Sequence, residues 1–166
     1  MESFDWSSLQ VAQAASIDNV PEMVNHALVV LGDLLEDDYV ACEFSLEAGR
    51  LIGDNVEASV NALLPGRCRV QRLEPAALWR PLVREALPEI FLPARQRDVW
   101  DEGTPPRVVA ELLMDWAVAL MSRLWPEDAD CWTLTVEIRD AYAPSYLDVV
   151  IEQQEQVWLL HLGVTD

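Results

Sequence analysis

The chain has 166 residues, 51% of them hydrophobic, and a formal net charge of −18. This composition excludes a disordered or collagen-like chain and predicts a single domain over residues 1–166. The charge predicts a strongly negative surface, which repels nucleic acid and anionic membranes and attracts basic proteins.

The N-terminal stretch "MESFDWSS" lacks a basic segment followed by an apolar one, and no apolar run approaches the roughly 18 residues that suggest a membrane span. We therefore expect a cytoplasmic protein, not a membrane protein. Cys42, Cys68 and Cys131 are an odd number of thiols without CxxC spacing. They are expected to be free and buried, which fits a reducing compartment better than disulfides or a zinc site.

The N-terminal part is predicted to be helical. A short helix is expected over residues 6–15. A stronger one follows, because Pro21 suits a first helical turn and the apolar residues through Leu35 recur at i, i+3 and i+4. Asp18 or Asn19 is the expected N-cap.

A strand and a hairpin are predicted next. Residues 39–46 alternate apolar and polar, residues 47–50 ("EAGR") resemble a turn, and residues 51–52 begin a return strand. Asp54 followed by Glu57 has capping-box spacing and predicts a short helix.

The middle of the chain is rich in arginine and proline. Residues 67–73 predict a strand with one basic face, and residues 75–107 contain six of the ten prolines. A helix kinked or started at Pro81 is expected within this segment.

The C-terminal part carries the clearest patterns. Thr104 caps a helix that Pro126 terminates, and residues 131–140, 147–153 and 157–163 read as strands joined by short turns. The last strand is apolar on both faces and is expected to be central or to meet a partner. The predicted fold is α+β: a mostly antiparallel sheet, with a C-terminal three-stranded meander and an N-terminal hairpin, packed against about four helices.

The stretch "GDLLEDD" breaks a local rule. It places Asp33, Glu36, Asp37 and Asp38 where the apolar helical pattern ends. Carboxylates there oppose the helix macrodipole, at roughly 0.3–1 kcal/mol each when unscreened. The order of the carboxylates does not match a calcium loop, so no metal site is predicted.

Two accounts of this acidic cluster stay open at the level of sequence. Either a basic partner binds it, or arginines of the predicted basic strand cover it. The arginines concerned are Arg67, Arg69 and Arg72.

A second candidate contact lies in "RQRDVWDEG". Trp100 stands there among charges, away from any regular pattern and beside Asp101 and Glu102. An aromatic residue on a charged loop is typical of an interface anchor, although it can also fold back onto the core.

Catalytic motifs are not found. The sequence has no glycine-rich phosphate loop, GxSxG, HExxH or paired CxxC, so we predict no enzyme, no catalytic residue, no metal and no cofactor. Glu111 and Asp115 share one helix face and could act as an acid–base pair. Arg107, four residues before Glu111, favours an exposed ion pair instead. His161 is the other candidate for a small-molecule site.

We therefore expect a non-enzymatic acidic binding protein, most simply a bacterial immunity protein or antitoxin that neutralises a basic toxin domain. A secretion chaperone for an effector, a DNA mimic, and a small-molecule enzyme using Glu111, Asp115 or His161 are the alternatives. Monomer and homodimer both stay open, and a chaperone would be a dimer. The expected partner contacts are Asp33, Glu36, Asp37, Asp38, Trp100, Asp101 and Glu102.

Overall fold

Four helices and five strands are formed by the residues that the computed structural model describes, which are 19–36, 40–86, 105–138 and 142–165. In chain order they are α1 (Val20–Leu35), β1 (Ala41–Arg50), α2 (Val56–Leu63), β2 (Arg69–Ala76), α3 (Trp79–Ala86), α4 (Pro105–Met121), β3 (Asp130–Glu137), β4 (Ser145–Gln153) and β5 (Gln156–Thr165). The strands form one antiparallel sheet in the order β1-β5-β4-β3-β2. The predicted α+β class and the C-terminal meander β3-β4-β5 are confirmed.

Strand β1 is longer than its sequence suggests. The predicted turn at residues 47–50 is wrong, because these residues continue β1 and pair with residues 156–159 of β5. The N-terminal hairpin exists in its shortest form just after β1, where Ile52 and Asn55 make a single antiparallel bridge.

The two residues inside this hairpin explain a second correction. Gly53 and Asp54 both have φ of +53°, which suits a two-residue hairpin turn. Asp54 is therefore not the helix cap that capping-box spacing predicted. Asn55 is the N-cap of α2, and its side chain accepts a hydrogen bond from the Ala58 backbone N–H.

The sheet is covered on both faces. Leu160 and Leu162 of β5 belong to the core shared with α1, α3 and α4, whereas Val157 and Leu159 face the core shared with α2. Because β5 lies between β1 and β4, its apolar residues on both phases are buried, as expected of a central strand. The three cysteines are free thiols; Cys68 and Cys131 are buried and Cys42 is half-buried.

The helices follow their apolar spacing. Helix α1 has Pro21 in its first turn, and α4 spans the predicted C-terminal helix. Asn19 occupies the N-cap position of α1, but its side chain makes no capping hydrogen bond. The helix expected over residues 6–15 lies outside the described residues. Within the described ranges, no helix has both the length and the apolar character needed to cross a membrane.

One helix side chain bonds to the backbone of each outer strand of the sheet. On β1, Asn25 of α1 accepts from the Leu46 N–H (2.7 Å) and donates to the Leu46 carbonyl (2.9 Å). On β2, Asn61 of α2 accepts from the Val70 N–H (2.9 Å). These bonds satisfy backbone groups that would otherwise face solvent on edge strands.

Strands β3 and β4 pair over only part of their length. Their register runs from Asp130 to Thr133 of β3, after which the Val136 N–H donates to the Tyr146 hydroxyl at 2.9 Å. A tyrosine therefore replaces strand pairing on one side of β3. The aromatic rings of Tyr142 and Tyr146 meet edge to face beside this point, 5.1 Å between centroids.

Candidate functional site

The described part of the acidic cluster is small. Asp33 and Glu36 are exposed at the end of α1. The Glu36 N–H donates to the Gly32 carbonyl, and the Glu36 carboxylate accepts from the Cys42 N–H at 3.0 Å. The other predicted contacts lie outside the described residues: Asp37, Asp38, Trp100, Asp101 and Glu102.

The arginines of β2 do not cover these two carboxylates. Strand β2 is the opposite edge strand from β1, the strand that follows the cluster. Arg72 forms an ion pair with Glu74 at 2.8 Å, and Arg69 donates to the Cys68 carbonyl at 2.6 Å. Both guanidinium groups are thus bound locally.

The carboxylates of α4 are bound by arginine. Arg107 Nε lies 2.9 Å from Glu111 Oε1, which confirms the i, i+4 ion pair favoured by the spacing. Arg84 of α3 lies 3.0 Å from Asp115. Burial raises the pKa of Asp115, and the Arg84 guanidinium opposes that rise. Each of the two carboxylates thus has an arginine within ion-pair distance.

A cleft of about 250 Å³ opens on the α2 face of the sheet, between β1, β5 and the C-terminal end of α2. Exposed carboxylates of Glu43 and Glu47 stand at its border on β1. Its other polar lining comes from Ser45, Tyr142 and His161, and its apolar lining includes Leu63, Pro65 and Leu159.

Three polar residues lie side by side on three adjacent strands at this cleft. In the sheet register Ser45 of β1 is opposite His161 of β5, and His161 is opposite Asp148 of β4. Pairing register therefore assembles residues that are far apart in the sequence, on the face that α2 covers.

Asp148 is the centre of a buried hydrogen-bonded group. It is 1% exposed; its Oδ1 lies 2.6 Å from His161 Nδ1, and its Oδ2 accepts from the Tyr142 hydroxyl. Burial, and then the Asp148 charge, raise the pKa of Tyr142, so the hydroxyl stays protonated and donates. Two strong hydrogen-bond donors thereby replace the water that this carboxylate loses on burial.

The orientation of His161 follows from this group. Because Nδ1 bonds to the Asp148 carboxylate, Nε2 is the ring nitrogen that is left for another partner. His161 lines the cleft with 12% of its side chain exposed. The site therefore offers a fixed imidazole nitrogen to a bound group.

Gly163 makes room for that imidazole. A Cβ at this position would lie 2.4 Å from His161 Nε2 and 2.6 Å from the Ala143 Cβ. We expect Gly163→Ala to lower the free energy of unfolding by about 1–3 kcal/mol, because the added methyl overpacks the site. Urea unfolding followed by circular dichroism measures the change.

Gly32→Ala is the matched control for this substitution. Its Cβ would meet nothing nearer than 3.6 Å, and alanine favours the helix by up to about 1 kcal/mol over glycine. A Gly163→Ala variant as stable as the unmodified chain would contradict the steric role of Gly163.

Sequence reasoning identified His161 but missed Asp148 and Tyr142. The sequence pattern of β4 could have revealed Asp148, because it lies on the same face of the strand as the buried Val150. A carboxylate on an inward-facing strand position requires donors, and such groups often mark functional sites.

The described residues contain no group of three or more His, Cys, Asp or Glu side chains placed to hold a metal ion. The site is instead a cleft with an acidic border and a histidine oriented by a buried carboxylate. Comparison with known proteins found no matching family model, no matching curated protein and no matching solved structure.

Proposed function

We propose that this chain is a non-enzymatic binding protein that holds and neutralises a basic protein, as a bacterial immunity protein neutralises a toxin domain in the cytoplasm. The observation that supports this best is a border of exposed carboxylates around β1, on a chain of net charge −18. We call this set the β1 acidic border; it consists of Asp33, Glu36, Glu43 and Glu47.

The placement of the arginines supports the proposal. Arg80, Arg84 and Arg107 each form an ion pair with a carboxylate of α4 or of the loop after it. Among the described residues, the β1 acidic border has no arginine partner of this kind. Its charge is therefore available to attract a basic protein and to speed the encounter.

An apolar patch adjoins the border on α1. Val29 and Val30 are 54% and 38% exposed, and Asp33 follows them by one helical turn. Apolar residues beside a charged rim are the usual composition of a protein interface. We place the partner across this part of α1 and β1.

The test is salt-dependent association with the basic proteins encoded beside this gene. Surface plasmon resonance measures the association rate constant at low and high NaCl. For Glu43→Gln/Glu47→Gln we expect a roughly 3- to 10-fold slower association at low salt, and a smaller difference at high salt.

The matched control removes the same charge elsewhere. Asp128 and Asp130 are exposed near the start of β3, and Asp128→Asn/Asp130→Asn changes the net charge equally. This control should keep most of the association rate. If no basic neighbour-encoded protein binds, or if binding ignores salt, the proposal is overturned.

An enzyme acting on a small molecule is a second candidate, because His161 faces a cleft with a buried carboxylate behind it. A histidine oriented in this way can act as a general base. The candidate requires turnover of a substrate that is lost in His161→Gln. Equal turnover by the unmodified protein and the His161→Gln variant would exclude a role for His161.

A further inference from the structure

We propose that the cleft between β1, β5 and α2 receives an arginine side chain of the partner, whose guanidinium is bound by Glu43, Glu47 and the free Nε2 of His161. This inference rests on the proposed function and names the chemistry of the contact. The proposed occupant of the cleft is a planar cation.

The size of the cleft suits a side chain. Its volume of about 250 Å³ is below the roughly 300–1,000 Å³ of most small-molecule sites. Glu43, Ser45 and Glu47 line it from the edge strand β1, where a partner surface can approach. One long side chain entering from a docked protein fits these dimensions better than a large cofactor.

The charge of the cleft selects a cation. Glu43 and Glu47 lie on the same face of β1, separated by about 13 Å along the strand at the usual rise per residue, with Ser45 between them. Both carboxylates are exposed, and Asp148 adds a third negative group below. An anionic ligand would meet three carboxylates, whereas a guanidinium would meet acceptors.

The shape of the polar groups favours arginine over lysine. Ser45 adds a hydroxyl between the two carboxylates, His161 lies opposite Ser45 on β5, and Tyr142 forms part of the wall. A guanidinium has five N–H donors in one plane and stacks on aromatic rings, whereas an ammonium is a compact point charge.

The imidazole of His161 is held in place before any ligand arrives. Asp148 fixes Nδ1, Tyr142 fixes the other oxygen of Asp148, and Gly163 leaves space for the ring. Preorganised acceptors need no rearrangement on binding, which lowers the cost of capturing a flexible side chain.

The test uses the two histidines of the full chain as reporters. His161 lines the cleft, whereas His26 is exposed on α1 and serves as an internal control. N-acetyl-L-arginine methylamide is titrated into the isotope-labelled protein, and the imidazole C–H signals are followed by NMR. We expect a saturable shift of the His161 signal while the His26 signal stays in place.

Two matched comparisons sharpen the result. The citrulline analogue has nearly the same shape without the charge and should give no saturable shift. Glu43→Gln/Glu47→Gln should weaken the arginine response by about fivefold, while Asp128→Asn/Asp130→Asn keeps it. All four substituted carboxylates are exposed, and circular dichroism checks that both variants are folded.

The inference is overturned if citrulline shifts His161 equally, if both histidines respond alike, or if arginine produces no shift. Its failure is distinguishable from failure of the proposed function. If a basic protein binds in a salt-dependent way but arginine gives no response, the proposed function is supported and the arginine site is rejected. If arginine gives the expected response but no basic protein binds, the arginine site is supported and the proposed function is rejected.

Discussion

Replacing Asp148 with Ala is expected to lower the free energy of unfolding by about 2–6 kcal/mol, at about 1–3 kcal/mol for each buried donor left without an acceptor. The reason is that two donors lose their common acceptor. The Tyr142 hydroxyl and His161 Nδ1 both bond to this carboxylate, which is 1% exposed. Urea unfolding followed by far-UV circular dichroism measures the loss.

Two milder variants separate the contributions. Asp148→Asn keeps the size of the side chain but can accept well from only one donor, so its loss should be intermediate. Tyr142→Phe removes one hydroxyl and leaves the His161 bond in place, so about 1–2 kcal/mol is expected. An Ala variant within about 1 kcal/mol of the unmodified chain would show that the group contributes little to stability.

Trp79→Ala is expected to cost about 3–5 kcal/mol of unfolding free energy, as for other fully buried large aromatic residues. Trp79 is 0% exposed and packs edge to face on Trp125, 5.3 Å between centroids. Its indole N–H donates to the Pro126 carbonyl at 2.9 Å, which ties α3 to the segment after α4. Far-UV circular dichroism is again the readout, because the substitution changes the fluorescence.

The neighbouring residue supplies the control. Leu78 is large, apolar and 39% exposed, so Leu78→Ala should change stability by no more than about 0.5 kcal/mol. Trp79→Phe keeps an aromatic ring but loses the hydrogen bond, so its cost should lie between the two. Equal effects of the alanine substitutions at positions 78 and 79 would contradict the assignment of Trp79 to the core.

Local periodicity was enough to predict most elements of this fold. The i, i+3, i+4 stripe of α1 and the alternation of β3 reflect one buried face each, which a single segment reveals without its partners. The error at residues 47–50 has a different origin. Gly49 suggested a turn, but it lies within the continuous strand β1. A Cβ at this position would lie 3.1 Å from Leu63 Cδ2, so the glycine lets α2 pack closely against the strand.

The candidate site was harder to predict because it is a product of strand register. Ser45, Asp148 and His161 become neighbours only when β1, β5 and β4 pair in this alignment. Periodicity reports which face a residue occupies, not which residue lies beside it on the next strand. The acidic run at Asp33 and Glu36 was visible because its members are close in sequence, whereas Glu43 and Glu47 gained importance only through the cleft between them.

The asparagines at the two sheet edges limit how a peptide could pair with the outer strands at Leu46 and Val70. Because Asn25 occupies both backbone groups of Leu46, and Asn61 occupies the Val70 amide, an incoming peptide cannot extend the sheet by β-augmentation there without first displacing a helix side chain. The same protection opposes edge-to-edge aggregation. Under the proposed function, recognition near Leu46 would then use side chains and not main chain, which suits a folded partner with a fixed charged surface better than the extended segment that a secretion chaperone would hold.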